Sequence, residues 1–404
     1  MNTTRHLRHT TVLLCLLAAG CRAGNRPSAS APFSDAALRT TDGQITKDNI
    51  DSQIDSWEHV LKVLRPGSVQ AMAGLVDLYQ TRAQYFGAVA GYDRAEELAE
   101  RAVASAPRDP EAWLARASSR AALHRFSEAL LDLAEAEQRK ADFRAVRSLR
   151  AAVLQAQGHT AGALELRRAA ATEYGTVFTL GALGSALATA GEGALARQQF
   201  AEAVRLYRDT SPLPIAWIDF QRGLLAEKEG EMDAAAVAYA TALARLPQFA
   251  PAAGHLAAVE SLRGHSARAI ELLRPLVSGT DDPEYAGQLA ELTADPAEAS
   301  RLRAQAARRY GELLARHPQA FADHAARFFL AFDPARALSL ARQNLGLRRT
   351  AEAFDLALSA AVLAHDAASG CAIADEARSS GVTSRRISTV AARACPLPAV
   401  GGGG

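Results

Sequence analysis

Four cysteines and ten histidines give this 404-residue chain most of its chemical reach, and their spacing limits what they can do. Cys15 and Cys21 stand six apart in "TTVLLCLLAAGCRAG". A metal or redox pair there would need a thiolate, which an apolar run without a nearby positive charge disfavours by desolvation. His317 and His324 flank Asp323, but Pro318 starts a new helix between them, so they read as surface histidines. The chain has no phosphate loop, no zinc-type pairing of Cys or His and no G-x-S-x-G elbow. No catalytic residue, metal site, cofactor or small-molecule substrate is therefore expected.

The elements that would position these residues follow from composition. Hydrophobic residues make up 49% and aromatics only 6%, with alanine abundant, which favours closely packed helices over a sandwich built from aromatic and β-branched residues. The expected fold class is all-α. Such a length exceeds one ordinary globular domain, so several domains or one growing array should form. Forty-five basic residues against 44 acidic leave a net charge of +1, without the basic field that nucleic acid requires. Clusters such as Arg144/Arg147/Arg150 and Arg308/Arg309 read as solvated helix faces.

At the start of the chain, Arg5 and Arg8 precede a run from Thr10 to Ala19. That run of about ten residues is too short for the roughly 20 that cross hydrocarbon, and it reads as the core of a signal peptide spanning 1–20. Ala-Ala-Gly-Cys at 18–21 resembles the lipobox of bacterial lipoproteins, with Ala18 where leucine is preferred and Leu17 one place earlier. The resemblance implies that Cys21 carries the lipid, palmitate or a similar acyl chain, and that Cys15 leaves with the discarded peptide. "RAGNRPSASAP" then reads as a tether, with 21–34 flexible and nothing in it to bury. Arg22 in place of aspartate after the modified cysteine resembles an outer-membrane lipoprotein facing the periplasm. In such an envelope compartment leftover thiols tend to pair. Cys371 and Cys395 lie on helices that meet near Gly381, so one expectation is a disulfide; the other has Cys371 filling the core and Cys395 free.

The body of the chain repeats. Ala95 in "YDRAEELAERAVASAP" is followed 34 residues later by Ala129 in "FSEALLDLAEAEQRK" and after another 34 by Ala163 in "HTAGALELRRAAA". The same grammar continues as Ala196/Phe200/Ala203, Ala235/Tyr239/Ala242 and Ala269/Leu273/Leu276, with Ala117, Ala151, Gly184, Gly223 and Ala257 in the preceding helices. This resembles the tetratricopeptide repeat, a 34-residue helix–turn–helix with small residues at positions 8, 20 and 27 and a large apolar one at 24. The resemblance implies an α–α superhelix in which each hairpin covers its neighbour's apolar face, with contacts between neighbours only. Six repeats match from 69 to 279, although Arg167 stands where the third calls for apolar bulk. Three divergent repeats and a capping helix occupy 280–395, a capping region covers 35–68 with Trp57 over the first repeat, and 396–404 cannot pack.

A superhelix of this kind offers a concave face lined by first-helix positions 2, 5, 9 and 12. In the second repeat these are Glu111, Leu114, Ser118 and Ala121; in the third, Ala145, Ser148, Ala152 and Gln155. Its densest apolar content is Phe178, Trp217, Phe220 and Leu224, an expected docking surface for a protein or peptide segment. Equally open is that Trp217 plugs the insertion in "SPLPIAW". The function expected is a non-enzymatic, lipid-anchored scaffold for protein–protein contacts in the bacterial envelope. It resembles outer-membrane repeat lipoproteins that assist pilus assembly, β-barrel insertion or peptidoglycan hydrolase regulation. The alternatives are an enzyme or carrier with a site in 283–395, and a purely structural spacer.

Overall fold

A computed structural model describes residues 38–382 and 385–395, and every regular element among them is helical. Cys21, its lipobox and the tether lie outside the described residues. Helix α1 (Gly43–His59) runs into a wide π-type turn at Val60–Leu64. Six hairpins follow: α2 (Val69–Phe86) with α3 (Gly91–Ser105), α4 (Pro110–Ala122) with α5 (Phe126–Gln138), α6 (Phe143–Gln157) with α7 (Thr160–Tyr174), α8 (Val177–Thr189) with α9 (Gly193–Leu206), α10 (Leu213–Glu229) with α11 (Met232–Arg245), and α12 (Ala250–Leu262) with α13 (Ser266–Gly279). After these come α14 (Pro283–Leu292), the 21-residue α15 (Pro296–Arg316), α16 (Pro318–Phe329), α17 (Pro334–Leu347), α18 (Ala351–Leu363), α19 (Ala367–Ser379) and α20 (Arg385–Ala394). The architecture is an all-α solenoid of helical hairpins.

Local chemistry sets the helix ends. Asp42, Ser68 and Asp109 accept hydrogen bonds from the first free amides of α1, α2 and α4, each such cap stabilising its helix by about 1 kcal/mol. At the other end of α10, Gly230 adopts φ +81°, the left-handed turn that lets the chain reverse into α11. Where the second hairpin turns, His124 takes the same left-handed seat without being glycine.

Within each hairpin the small residues let the helices close. Ala95, Ala117, Ala129, Ala136 and Ala196 are fully buried. The size of the residue at position 8 follows that of its partner at 24. Ala117 and Leu133 hold these positions in the second hairpin, both fully buried, whereas Gly184 lies under Phe200 and Gly223 under Tyr239, where a methyl group would come within 2.6 Å and 2.3 Å of the rings. Glycine therefore stands where the partner is an aromatic ring.

The chain divides into two compact units, residues up to Gln155 with Thr160–Gln305, and Ala156–His159 with the residues from Ala306 on. In the first unit the contacts are not confined to neighbours, a correction to the simple stack. Tyr85 at the end of α2 packs on Phe249 ahead of α12, ring centroids 4.8 Å apart, and its hydroxyl donates to Leu213 O over 3.4 Å. Ala90 N donates to Asp281 Oδ2 (2.9 Å), Asp281 N to Gly87 O (3.2 Å) and Thr41 N to Thr210 O (2.7 Å). The first hairpin thus meets the sixth, because Tyr85, Phe86 and Phe249 form an apolar rim that neither helix end hides alone. Trp57 on α1 lies over Gly74 of α2.

The second unit has its own core around Tyr310, Phe329, Phe354, Leu358 and Ile373. A disulfide joins Cys371 on α19 to Cys395 at the end of α20, with 4.6 Å between the Cα atoms.

Candidate functional site

The expected aromatic docking patch does not form. Trp217 is only 4% exposed and Phe220 1%. Trp217 lies over Gly181 of α8, and Phe220 sits among Tyr239, Phe249 and His255 at centroid distances of 5.7, 5.2 and 5.4 Å. The physical reason is close packing of the adjoining hairpins: α8 covers Trp217, and α11 and the start of α12 cover Phe220, with Phe249 backed in turn by Tyr85 of the first hairpin. Leu224 is half-buried and Phe178, at 36%, is the one residue of the four that stays exposed. The insertion before α10 is braced by Tyr207, whose hydroxyl donates to Ser211 O, and by Tyr85 through Leu213 O.

His317 also departs from its expected surface position. It is 8% exposed at the junction of α15 and α16, where its backbone N–H closes α15 on Leu313 O (2.7 Å). Nearby Asp323 Oδ2 accepts from Arg348 Nη1 at 3.1 Å. These are structural contacts within the second unit.

The surface that remains is the inner face of the first helices in the first four hairpins. Its polar groups bond from one hairpin to the next: Ser118 Oγ donates to Gln80 Oε1 (2.9 Å), and Gln155 Nε2 reaches Thr189 Oγ1 (3.0 Å) and Ser185 Oγ (3.4 Å). Of the small residues between them, Ala145 keeps partial exposure, whereas Ala121 and Ala152 are buried and Gly181 lies under Trp217. Ser148, Gln155, Ser185 and Thr189 are half-buried and Glu111 is exposed, whereas Gln80 and Ser118 are buried, so water reaches the strip mainly along α6 and α8.

Two charges on this face depart from ordinary behaviour. Burial pushes the Asp77 carboxyl up to about 7, with the charge of Glu111 adding to the effect. Burial pulls the Arg167 guanidinium down to about 10, so it remains positive at neutral pH. Its Nη1 donates to Ser148 Oγ at 3.0 Å, while its Nε is buried without an acceptor. A buried donor left unpaired costs about 1–3 kcal/mol. Sequence spacing marks Arg167 as a departure from the repeat, but only the fold shows that its guanidinium reaches the inner face beside Ser148. Asp77 carries no such signal, since an aspartate at a first-helix position is unremarkable until the neighbouring helix brings Glu111 near.

Deeper in the same unit, Glu227 accepts from the Tyr239 hydroxyl at 2.7 Å and lies 3.1 Å from His255 Nδ1. All three are buried, so this cluster serves the core and not a ligand. Among the described residues no set of three or more His, Cys, Asp or Glu side chains is arranged to hold a metal ion.

No protein-family profile matches the sequence, and no curated protein does. Several solved structures are similar in part. One is Cut9–Hcn1, an APC/C hetero-tetramer, at 16% identity and a TM-score of 0.45, covering 77% of this chain and 52% of that one. Another is a tetratricopeptide repeat protein from Parabacteroides merdae, at 13% identity and a TM-score of 0.40, covering 68% and 99%. A third is PilF of Pseudomonas aeruginosa, at 17% identity and a TM-score of 0.37, covering 56% and 94%. The chain spans about half the length of the first of these.

Proposed function

We propose that this array of tetratricopeptide-type helical hairpins is a non-enzymatic scaffold that docks protein segments on the inner face of its first four hairpins. The observation that carries the reading is the strip itself. The first helices of the third and fourth hairpins present Ser148, Gln155, Ser185 and Thr189 partly exposed and aligned by the Gln155–Thr189 bond, while a buried Ser118–Gln80 bond fixes the two first helices before them. A pre-aligned face binds an extended or helical segment at low ordering cost.

The scaffold is held at a bacterial membrane by a lipid on Cys21, with the body on the periplasmic side of the outer membrane. This part of the proposal is supported by the sequence at 10–24, where a short apolar run ends in Ala-Ala-Gly-Cys. Among the described residues no helix is long and apolar enough to cross a membrane. An anchor at the N-terminus would leave the whole array to its partners.

Crosslinking in the native envelope tests the docking face. Ala145→Arg combined with Ser185→Arg should remove partner crosslinks, whereas Leu131→Arg, at an exposed site on α5, should leave them intact. Crosslinks that survive the double variant would place docking elsewhere. For the anchor, radiolabelled palmitate should mark the wild type and not Cys21→Ser; equal labelling of both excludes Cys21.

A further inference from the structure

The third hairpin breaks the packing rule of its neighbours at one residue. Leu133, Phe200, Tyr239 and Leu273 fill the large apolar position in the second, fourth, fifth and sixth hairpins, and Arg167 stands there in the third. A core filler would have been apolar. The arginine instead reaches across the hairpin to α6, where Nη1 meets Ser148 Oγ at 3.0 Å. Its Nε finds no acceptor, and no acidic group bears on its charge among the described residues. Both residues are half-buried, with the Arg167 Nε itself shielded from water.

A guanidinium offers a planar fork of donors that fits a carboxylate. With its oxygen accepting from Arg167, the Ser148 hydroxyl can still donate its own proton to a ligand. Ala145, three residues before Ser148 on the same helix face, is small and half-buried, whereas Ala152, four residues after it, is buried. One positive charge matches one carboxylate. A dianionic phosphate would leave one charge uncompensated.

Resting on the reading that this inner face docks protein segments, we propose that Arg167 and Ser148 together receive the side-chain carboxylate of an aspartate or glutamate in the docked segment. The partner is therefore a segment with an acidic residue at one fixed position, next to a residue that lies over Ala145.

An arrayed library of random heptapeptides, acetylated and amidated so that only side chains carry charge, tests this with the full chain. Peptides selected by the wild type should share Asp or Glu at one position. Changing that residue to Gln or Asn should weaken wild-type binding about tenfold, the scale of one charge-assisted hydrogen bond. The same change should have no effect on binding to Arg167→Leu, and Ser148→Ala should bind the acidic peptide several-fold more weakly. The peptide swap leaves the protein untouched, so the result stands even where a variant folds poorly. Selected peptides without a fixed acid, an equal loss with wild type and Arg167→Leu, or selection only from a library with free C-termini would overturn this inference alone. Selection of no peptide at all would overturn the docking reading along with it.

Discussion

Asp132 on α5 is 2% exposed, and both Arg116 and Arg120 of α4 are turned onto it at 2.8–3.1 Å. Arg116 also reaches Glu100 of α3, so the cluster ties the first hairpin to the second. Removing one partner of a buried ion pair strands the others. Asp132→Ala should cost about 3–5 kcal/mol, read as a lower urea midpoint, and a loss below ~1 kcal/mol would mean water already solvates the two arginines. Asp77 gives the opposite kind of prediction. Its carboxyl is held at about 7 against an ordinary 3.8, so the folded chain keeps a proton that the unfolded chain has lost. Its contribution to stability is full below about pH 4 and falls as pH rises toward 7, by up to ~1.4 kcal/mol per pH unit. Asp77→Asn cannot ionise there. The variant should gain on the wild type between pH 4 and 7 and no further above it; parallel stability curves would show that Asp77 titrates normally.

At the scale of the helix pair, the match of glycine to ring predicts a specific coupling. A methyl on Gly184 would meet Phe200 Cε1 at 2.6 Å, and Phe200 is fully buried. Gly184→Ala should therefore cost about 1–3 kcal/mol by overpacking. Phe200→Leu on its own leaves a cavity and also destabilises. Combined, the two changes reproduce the Ala117/Leu133 pair of the second hairpin, and the double variant should recover most of the loss. Additive losses in a double-mutant cycle would refute the size matching. These hairpins are legible in the sequence because everything that makes one is local: the 34-residue beat, a capping residue such as Asp109, and a small residue opposite a large one. The site is less legible. Trp217 and Phe220 read as groove residues because positions 2 and 5 face inward in any open stack, and their burial depends on how closely α8, α11 and α12 pack against α10, which the spacing of the repeat does not state. Arg167 is visible as an exception to the repeat, but its bond to Ser148 depends on how α6 and α7 are rotated against each other.

At the scale of the first unit, the meeting of its first and sixth hairpins changes what kind of folding unit it is. A linear stack of hairpins feels a local lesion only in its neighbours, since stability there is a sum of repeat and interface terms. Here Tyr85 touches Phe249 and Leu213, and Asp281 is bonded to Gly87 and Ala90, so α2 and α12 stand or fall together. An aromatic pair of this kind is worth about 0.5–1.5 kcal/mol beyond the area it buries. Tyr85→Ala should consequently speed amide exchange in α12 and in the turn before α14 as much as in α2. The amides of α4 and α5, closer in sequence but off the rim, should change less. A neighbour-only array makes the reverse prediction, with loss spreading from α2 to α3 and α4 and leaving α12 untouched. Exchange mapped helix by helix thus separates the two arrangements, and it bears on docking as well. If the rim holds, the inner strip from Asp77 to Thr189 keeps one curvature, and a partner segment must fit that curvature instead of selecting among many.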